Sequence, residues 1–145
     1  MDYVYSTTEN GIATLEFSHS QANCLPLDFL YRLADELGKL SVDDSVKVVL
    51  LRSAGEKTFC AGAFFDELSQ VDSLEKGKEF FSGFALVLNA IRQCKKPIIG
   101  RAQGKAVGGG VGILACCDYV FATEQASIRL PELSIGIGPF VIAPV

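Results

Sequence analysis

The chain has 145 residues, 49% of them hydrophobic and 21% charged, and 13 basic against 17 acidic side chains give a net charge of −4. This profile is typical of one globular domain and excludes disordered, collagen-like and disulfide-scaffold proteins. Because His19 is the only histidine, a histidine-rich zinc site is excluded, and the lack of a basic stripe argues against binding of nucleic acid.

The first part of the chain alternates strand and helix patterns. Residues 3–6 and 12–17 alternate apolar and polar side chains around Asn10-Gly11, the strongest short-range hairpin signal. Residues 27–40 place apolar side chains at three- and four-residue steps, which predicts an amphipathic helix. Residues 46–51 form a β-branched and aliphatic run that predicts a strand buried on both faces.

The rest of the chain continues the alternation. The predicted elements are a helix over residues 74–94, a strand over 97–100, an apolar segment over 113–117 and short strands over 118–122 and 127–130. Strands alternating with helices predict an α/β fold with helices packed on a mostly parallel sheet. No repeat or linker indicates a domain boundary, so we expect a single unit.

The cysteines and the apolar runs bear on the cellular compartment. Five cysteines make an odd number without CxxC spacing, and Cys116-Cys117 are adjacent, which is typical of reduced core thiols. The longest apolar runs are far shorter than the ~20 residues that cross a bilayer, and the amino terminus carries no basic leader. We expect a cytoplasmic protein without a membrane segment.

Five of the 14 glycines lie between residues 104 and 112. Because Gly destabilises a helix interior by about 0.8–1.0 kcal/mol relative to Ala, the cluster needs a reason. One reason is close packing of a helix start against the sheet, and the other is that a turn without Cβ atoms presents backbone N–H groups to an anion. The nucleotide motifs GxxxxGK[ST] and GxGxxG are both absent. This favours an oxyanion hole, with a second donor from the turn at residues 61–63.

Several short motifs follow one another along nearly the whole chain. They are Phe59-Cys60-Ala61-Gly62-Ala63, then Pro97-Ile98-Ile99 with Gly104, then Gly108-Gly109-Gly110 with Cys117-Asp118, and finally Pro131-Glu132 with Gly136 and Pro139. In this order and approximate spacing the chain resembles the crotonase superfamily of enoyl-CoA hydratases and isomerases. The opening hairpin and Asn23-Cys24-Leu25 are part of the same resemblance.

The resemblance implies a fold, a substrate and a set of site residues. The fold would be a spiral of β-β-α units, with mostly parallel sheets flanked by helices, and the substrate an acyl-CoA thioester. The backbone N–H groups of Ala63 and Gly109 would hold the thioester oxygen as an enolate forms. The remaining substrate-binding residues would be Ala61, Gly62, Phe64, Phe65 and Gly108. Coenzyme A is then part of the substrate, and neither a separate cofactor nor a metal is implied.

Glu132 is the acid/base residue that the resemblance implies. Hydratases of the family use two glutamates, and the position of the first is Gly112 here. One carboxylate can still move a proton between carbons, so hydration, isomerisation and an atypical lyase reaction all stay open. The alternative is a crotonase-like domain that binds acyl-CoA, or only a partner chain, without turnover.

Other residues are weaker candidates. Asp66 and Glu67 follow the first motif and could act only if their side chains entered the pocket. We expect both to lie instead on a solvent-exposed helix face. His19 is expected to be exposed in a polar loop that lacks the basic residue relatives often place near CoA, so no CoA-phosphate contact is assigned there. Hydrolysis through Cys60, or through a serine, paired with His19 is a third hypothesis.

The resemblance also concerns the carboxyl end. Family members continue into a helix and a helical region that closes the acyl pocket and builds homotrimers or hexamers, whereas this sequence stops at Val145, inside the expected helix. We therefore expect residues 1–145 to form an acyl-CoA-binding core truncated at its carboxyl end, in which activity and assembly are impaired.

Overall fold

The computed structural model describes residues 1–145. Its strands are β1 (Tyr3–Glu9), β2 (Ile12–Ser18), β3 (Val48–Ser53), β4 (Thr58–Cys60), β5 (Ile98–Ala102), β6 (Lys105–Val107), β7 (Tyr119–Ala122) and β8 (Ser127–Arg129). Its helices are α1 (Leu27–Val42), α2 (Phe65–Ser69), α3 (Leu74–Gln93) and α4 (Gly109–Cys116), followed by a 3₁₀ turn over Glu132–Ile135. None of these helices combines the length and apolar content needed to cross a membrane.

The larger sheet has five strands in the order β1-β2-β3-β5-β7. β1 and β2 are antiparallel, and the other neighbours in this sheet are parallel. The predicted hairpin is confirmed, because Asn10 (φ 51°) and Gly11 (φ 84°) adopt the left-handed conformations that a tight strand-to-strand turn requires. The next predicted strand begins at Val48, and its residues alternate between fully and half buried. The expectation of burial on both faces is therefore wrong for this strand.

Helices α1 and α3 pack against each other and share one apolar core with β2 and β3. α1 buries Leu30, Leu33 and Leu37 on one face, as its periodicity predicts. The two helices approach closely at Gly83, where a Cβ atom would lie only 2.6 Å from Leu27 Cδ1. Burying a leucine side chain contributes about 1.5–3 kcal/mol, so the buried leucines of α1 make its packing a main source of stability.

A second, smaller sheet has three parallel strands in the order β4-β6-β8. The sequence did not predict β4 or β6, each of which has three residues, because so short a strand shows no alternation of apolar and polar side chains. The pairing of β4 with β6 shifts register between Thr58 and Cys60. This irregularity directly precedes the turn at residues 61–63.

Two residues of the sequence motifs stabilise the fold. The Asn23 side chain donates to the carbonyl oxygens of Ala54 (2.8 Å) and Thr58 (2.9 Å), and it is 7% exposed. The carboxylate of Asp118 accepts a 2.7 Å hydrogen bond from the Ile98 N–H at the start of β5. These contacts satisfy backbone groups that the ends of the strands would otherwise leave unpaired.

The carboxyl end forms turns rather than the expected helix. The N–H groups of Ile142 and Ala143 both donate to the carbonyl of Pro139, at 3.1 and 2.8 Å. Pro144 has no N–H to extend this pattern and disfavours helical backbone at the preceding residue. The turn brings Ile142 into the core, where it is 8% exposed.

Candidate active site

A cavity of about 280 Å³ lies between the edge of the smaller sheet, α3 and the carboxyl end. Its walls come from the turn after β4, from α2 and α3, from the turn between β6 and α4, and from the segment after β8. The lining residues are Ala61, Gly62, Ala63, Phe65, Leu68, Phe80, Phe81, Phe84, Val107, Gly108, Gly109, Pro131, Glu132, Ile135, Ile137, Gly138, Pro139, Val141 and Ile142. All the residues predicted for the site except Phe64 are among them.

The turn after β4 exposes the N–H of Ala63. Gly62 has φ +92°, a conformation that residues with a Cβ rarely adopt, and its N–H donates to Cys60 Sγ at 3.3 Å. The Ala63 N–H has no acceptor within the protein. It is therefore free to donate to a ligand in the cavity.

The turn between β6 and α4 supplies the second donor. Gly108 has φ +53°, and Gly109 is the first residue of α4, where backbone N–H groups have no intrahelical acceptor and the helix dipole favours negative charge. A Cβ atom at Gly62 would lie 3.9 Å from the Gly109 nitrogen. The two turns are thus in contact, and Ala63 and Gly109 both line one cavity.

Glu132 is the only ionisable side chain that lines the cavity. It follows Pro131 at the start of the 3₁₀ turn, and its carboxylate lies against Gly108, because a Cβ atom there would be 2.9 Å from Glu132 Oε1. The other oxygen, Oε2, is buried without a hydrogen-bond partner. A buried acceptor left unpaired is costly in free energy.

Gly112, the position that the resemblance assigns to the first of the two hydratase glutamates, is closed off by packing. A Cβ atom at Gly112 would lie 2.5 Å from Ile142 Cγ2 and 3.4 Å from Leu88 Cδ2. Neither Asp66 nor Glu67 lines the cavity to replace that acid. Glu67 instead accepts from the Leu27 N–H at 3.0 Å, at the start of α1.

The structure corrects two expectations about side chains near the site. Phe64 does not line the cavity but packs edge-on against His19, with ring centroids 5.7 Å apart. His19 is only 11% exposed, not exposed as expected, because it also packs on Phe29 and contacts Cys24 Sγ at 3.1 Å. The polar residues around it in the sequence gave no indication of this aromatic surrounding.

The thiols provide no nucleophile for hydrolysis. Cys60 is completely buried, and burial raises its pKa to about 12. Cys24, the cysteine that contacts His19, is 4% exposed, and burial raises its pKa to about 11. Because the thiolate is the nucleophilic form, neither side chain fits the role proposed in the third hypothesis.

Sequence reasoning missed the wall formed by α3. Phe80, Phe81 and Phe84 line the cavity, and a Cβ atom at Gly109 would lie 2.1 Å from Phe84 Cε1. Three phenylalanines within five positions of one helix were a signal, but the helical period indicates only that a face is buried and not what it faces.

Comparison with known proteins gives consistent results. The family model described as enoyl-CoA hydratase/isomerase matches residues 7–144. The short-chain-enoyl-CoA hydratase of Clostridium acetobutylicum is 33% identical over 132 residues, which cover 90% of this chain and 50% of that protein. The peroxisomal Delta(3,5)-Delta(2,4)-dienoyl-CoA isomerase of Arabidopsis thaliana is 28% identical over 94% of this chain and 53% of its own length.

The fold is also shared with a solved structure. The crystal structure of an enoyl-CoA hydratase/carnithine racemase from Magnetospirillum magneticum matches with a TM-score of 0.88 and 29% identity, covering 95% of this chain and 52% of that chain. The predicted α/β fold with mostly parallel sheets flanked by helices is confirmed. The chain spans about half the length of the curated relatives it matches.

Proposed function

The chain belongs to the enoyl-CoA hydratase/isomerase family, and on that premise we propose that its cavity binds an acyl-CoA thioester and moves a proton along the acyl chain. The observation that carries this proposal is the placement of Glu132, the one ionisable side chain of an otherwise apolar cavity whose lining also includes Ala63 and Gly109 with their unpaired N–H groups. A general acid/base and two oxyanion donors are what enolate chemistry on a thioester requires.

The proposed reaction is the isomerisation of a 3-enoyl-CoA. The Glu132 carboxylate takes a proton from the α carbon, and the C–H electron pair forms an enolate whose oxygen accepts from Ala63 and Gly109. Protonated Glu132 then returns the proton to the γ carbon, the carbonyl re-forms, and the double bond lies between the α and β carbons. The reaction neither consumes nor releases water.

The packing at Gly112 favours isomerisation over hydration. Hydration needs a water that is positioned and activated beside the acyl chain, and Ile142 fills the space next to Gly112 where the first glutamate of hydratases would begin. The same packing also favours the alternative that the domain binds acyl-CoA without turnover. Calorimetric binding of an acyl-CoA without any product would support that alternative.

The test is an absorbance assay with 3-hexenoyl-CoA and 2-hexenoyl-CoA. Isomerisation of the first raises the absorbance of the conjugated thioester, whereas hydration of the second lowers it. We expect turnover of 3-hexenoyl-CoA, and a loss of about 10²–10⁴-fold in Glu132→Gln. The control Glu124→Gln changes an exposed glutamate outside the cavity and should keep the original rate. Full activity in Glu132→Gln would rule out the acid/base role.

A further inference from the structure

We infer that His19 is a positioning residue for the oxyanion donor Ala63, because its ring holds the loop of residues 19–25 and this loop orients the Ala63 N–H. The inference rests on the proposed function and specifies what keeps one of its two donors in place. His19 does not line the cavity, so it acts on the donor through the loop.

The loop holds the peptide group that carries the Ala63 N–H. The Leu25 N–H donates to the Gly62 carbonyl oxygen at 2.9 Å, and the Ala61 N–H donates to the Ala22 carbonyl oxygen at 3.2 Å. The Gly62 carbonyl and the Ala63 N–H belong to one trans peptide group, so they point in opposite directions in the same plane. The bond from Leu25 turns this carbonyl toward the loop and therefore turns the Ala63 N–H away from it. A shift of the loop would rotate the donor.

The shape of the loop depends on contacts that hold it. Ala22 and Asn23 have φ 52° and 56°, a left-handed conformation that costs a residue with a Cβ atom about 1–2 kcal/mol. Such a conformation persists only where the surroundings enforce it. The His19 N–H donates to Asn23 Oδ1 and the Asn23 N–H donates to the His19 carbonyl, both at 3.0 Å. His19 therefore connects the two ends of this strained turn.

The His19 ring adds one acceptor atom to these backbone bonds. Nδ1 accepts from the Gln21 N–H at 3.2 Å. A backbone N–H can only donate, so Nδ1 carries no proton and the ring proton is on Nε2, which lies 3.7 Å from Asp2 Oδ2. Cys24 Sγ lies 3.1 Å from Nδ1. Because burial raises the pKa of this thiol to about 11, it keeps its proton and can donate it to the same nitrogen.

The ring also packs beside the donor, and two substitutions separate packing from hydrogen bonding. The ring centroids of Phe29 and Phe64 are 5.5 and 5.7 Å from that of His19, and Phe64 directly follows Ala63. His19→Phe keeps an aromatic ring but has no acceptor. His19→Asn loses the ring but keeps an acceptor, because asparagine Oδ1 is separated from the backbone by the same number of bonds as Nδ1.

The first measurement is the turnover of 3-hexenoyl-CoA. An oxyanion donor binds the transition state more strongly than the ground state, so a displaced donor lowers kcat and changes KM little. Removal of a donor costs about 10²–10³-fold, and we expect its displacement in His19→Phe to lower kcat about 10-fold. His19→Asn should lose much less. A role in packing alone predicts the opposite order.

The second measurement is spectroscopic and uses acetoacetyl-CoA, whose enolate absorbs in the near ultraviolet. Two well-placed donors stabilise the bound enolate, so the enolate fraction at saturating ligand should fall in His19→Phe and be largely kept in His19→Asn. A merely structural loss would lower the free energy of unfolding without changing this fraction. The matched control is Ser20→Ala in the same loop, because Ser20 is exposed and its side chain contacts only Asp2. It should keep both kcat and the enolate fraction.

The outcomes distinguish the inference from the proposed function. If His19→Asn loses as much kcat and enolate as His19→Phe, the inference is overturned while turnover by the unmodified chain leaves the proposed function standing. If the unmodified chain does not isomerise 3-hexenoyl-CoA, the proposed function fails and the inference fails with it. Nitrogen NMR of the isotope-labelled chain decides the matter if a variant does not fold, because His19 is the only histidine and its ring signals are unambiguous. A proton on Nδ1 would overturn the inference.

Discussion

The contact between Gly112 and Ile142 predicts strong energetic coupling between the two positions. Gly112→Ala gains about 0.8–1.0 kcal/mol of helix propensity. Its new methyl group would lie 2.5 Å from Ile142 Cγ2, and such overpacking costs about 1–3 kcal/mol. We therefore expect a net loss of about 1 kcal/mol. Ile142→Ala removes a side chain that is 8% exposed and should cost about 2 kcal/mol, the lower end for such truncations, because the turn at the chain end can relax.

The double variant should be far more stable than the sum of these losses implies. With Ile142 truncated, the methyl group at position 112 enters the vacated space without a clash and keeps its helix propensity. The expected cost is then about 1 kcal/mol instead of about 3 kcal/mol, which corresponds to a coupling energy of about 2 kcal/mol. Urea unfolding followed by far-UV circular dichroism measures the four free energies, provided that the m-value stays constant.

A second cycle controls for helix propensity. Gly38 lies in α1, and a Cβ atom there would meet nothing within 4 Å, so Gly38→Ala should stabilise the chain by about 0.8–1.0 kcal/mol and add to Ile142→Ala without coupling. If Gly112→Ala and Ile142→Ala also add within about 0.5 kcal/mol, then Ile142 does not fill the space beside Gly112. The structural reason for preferring isomerisation would then be lost.

Three further predictions concern the surroundings of the site. Gly104→Ala should destabilise the chain by about 3 kcal/mol in the same urea assay, because a Cβ atom would lie 2.2 Å from the backbone oxygen of Lys57. Ala22→Gly should stabilise it by up to about 1 kcal/mol, since Ala22 has φ 52°. Burial raises the pKa of Glu67, against the lowering effect of the Leu27 N–H. The folded state thus keeps this proton to higher pH than the unfolded chain, and the stabilisation from Glu67 falls as pH rises through the ordinary glutamate range to the folded pKa. In Glu67→Gln, the free energy of unfolding measured by urea titration should no longer fall in this way as the pH rises.

The larger sheet and the long helices could be predicted because their patterns are local. The Asn10-Gly11 turn and the apolar periods of α1 and α3 determine these elements without reference to distant residues. β4 and β6 of the smaller sheet could not be predicted in this way, because their three residues show no readable period, whereas β8 lies within the strand predicted over 127–130. These short strands are specified by pairing with segments far apart in the chain. A local pattern of apolar residues carries no information about such pairing.

The site, too, has residues that the sequence could predict and residues that it could not. Ala63, Gly109 and Glu132 were identified because their motifs match a family pattern, and the structure brings all three to one cavity. The burial of His19 was missed, since its packing against Phe29 and Phe64 joins three separate elements. The histidine of this polar loop is covered because neighbouring elements supply aromatic rings around it, while Ser20 and Gln21 beside it stay exposed.

Two glycines of α4, which carry no side chain, shape the cavity as much as the side chains that line it. Gly109 and Gly112 are three residues apart and therefore lie on the same face of α4. Phe84 packs on the first and Ile142 on the second, at distances that leave no room for a Cβ atom. The glycine at the start of α4 lines the cavity with an unpaired N–H, and the glycine one turn later admits Ile142, an apolar residue of the cavity wall. Close packing of α3 and of the carboxyl end on α4 therefore accounts for Gly109 and Gly112, and it is compatible with the proposed oxyanion role of the Gly109 N–H.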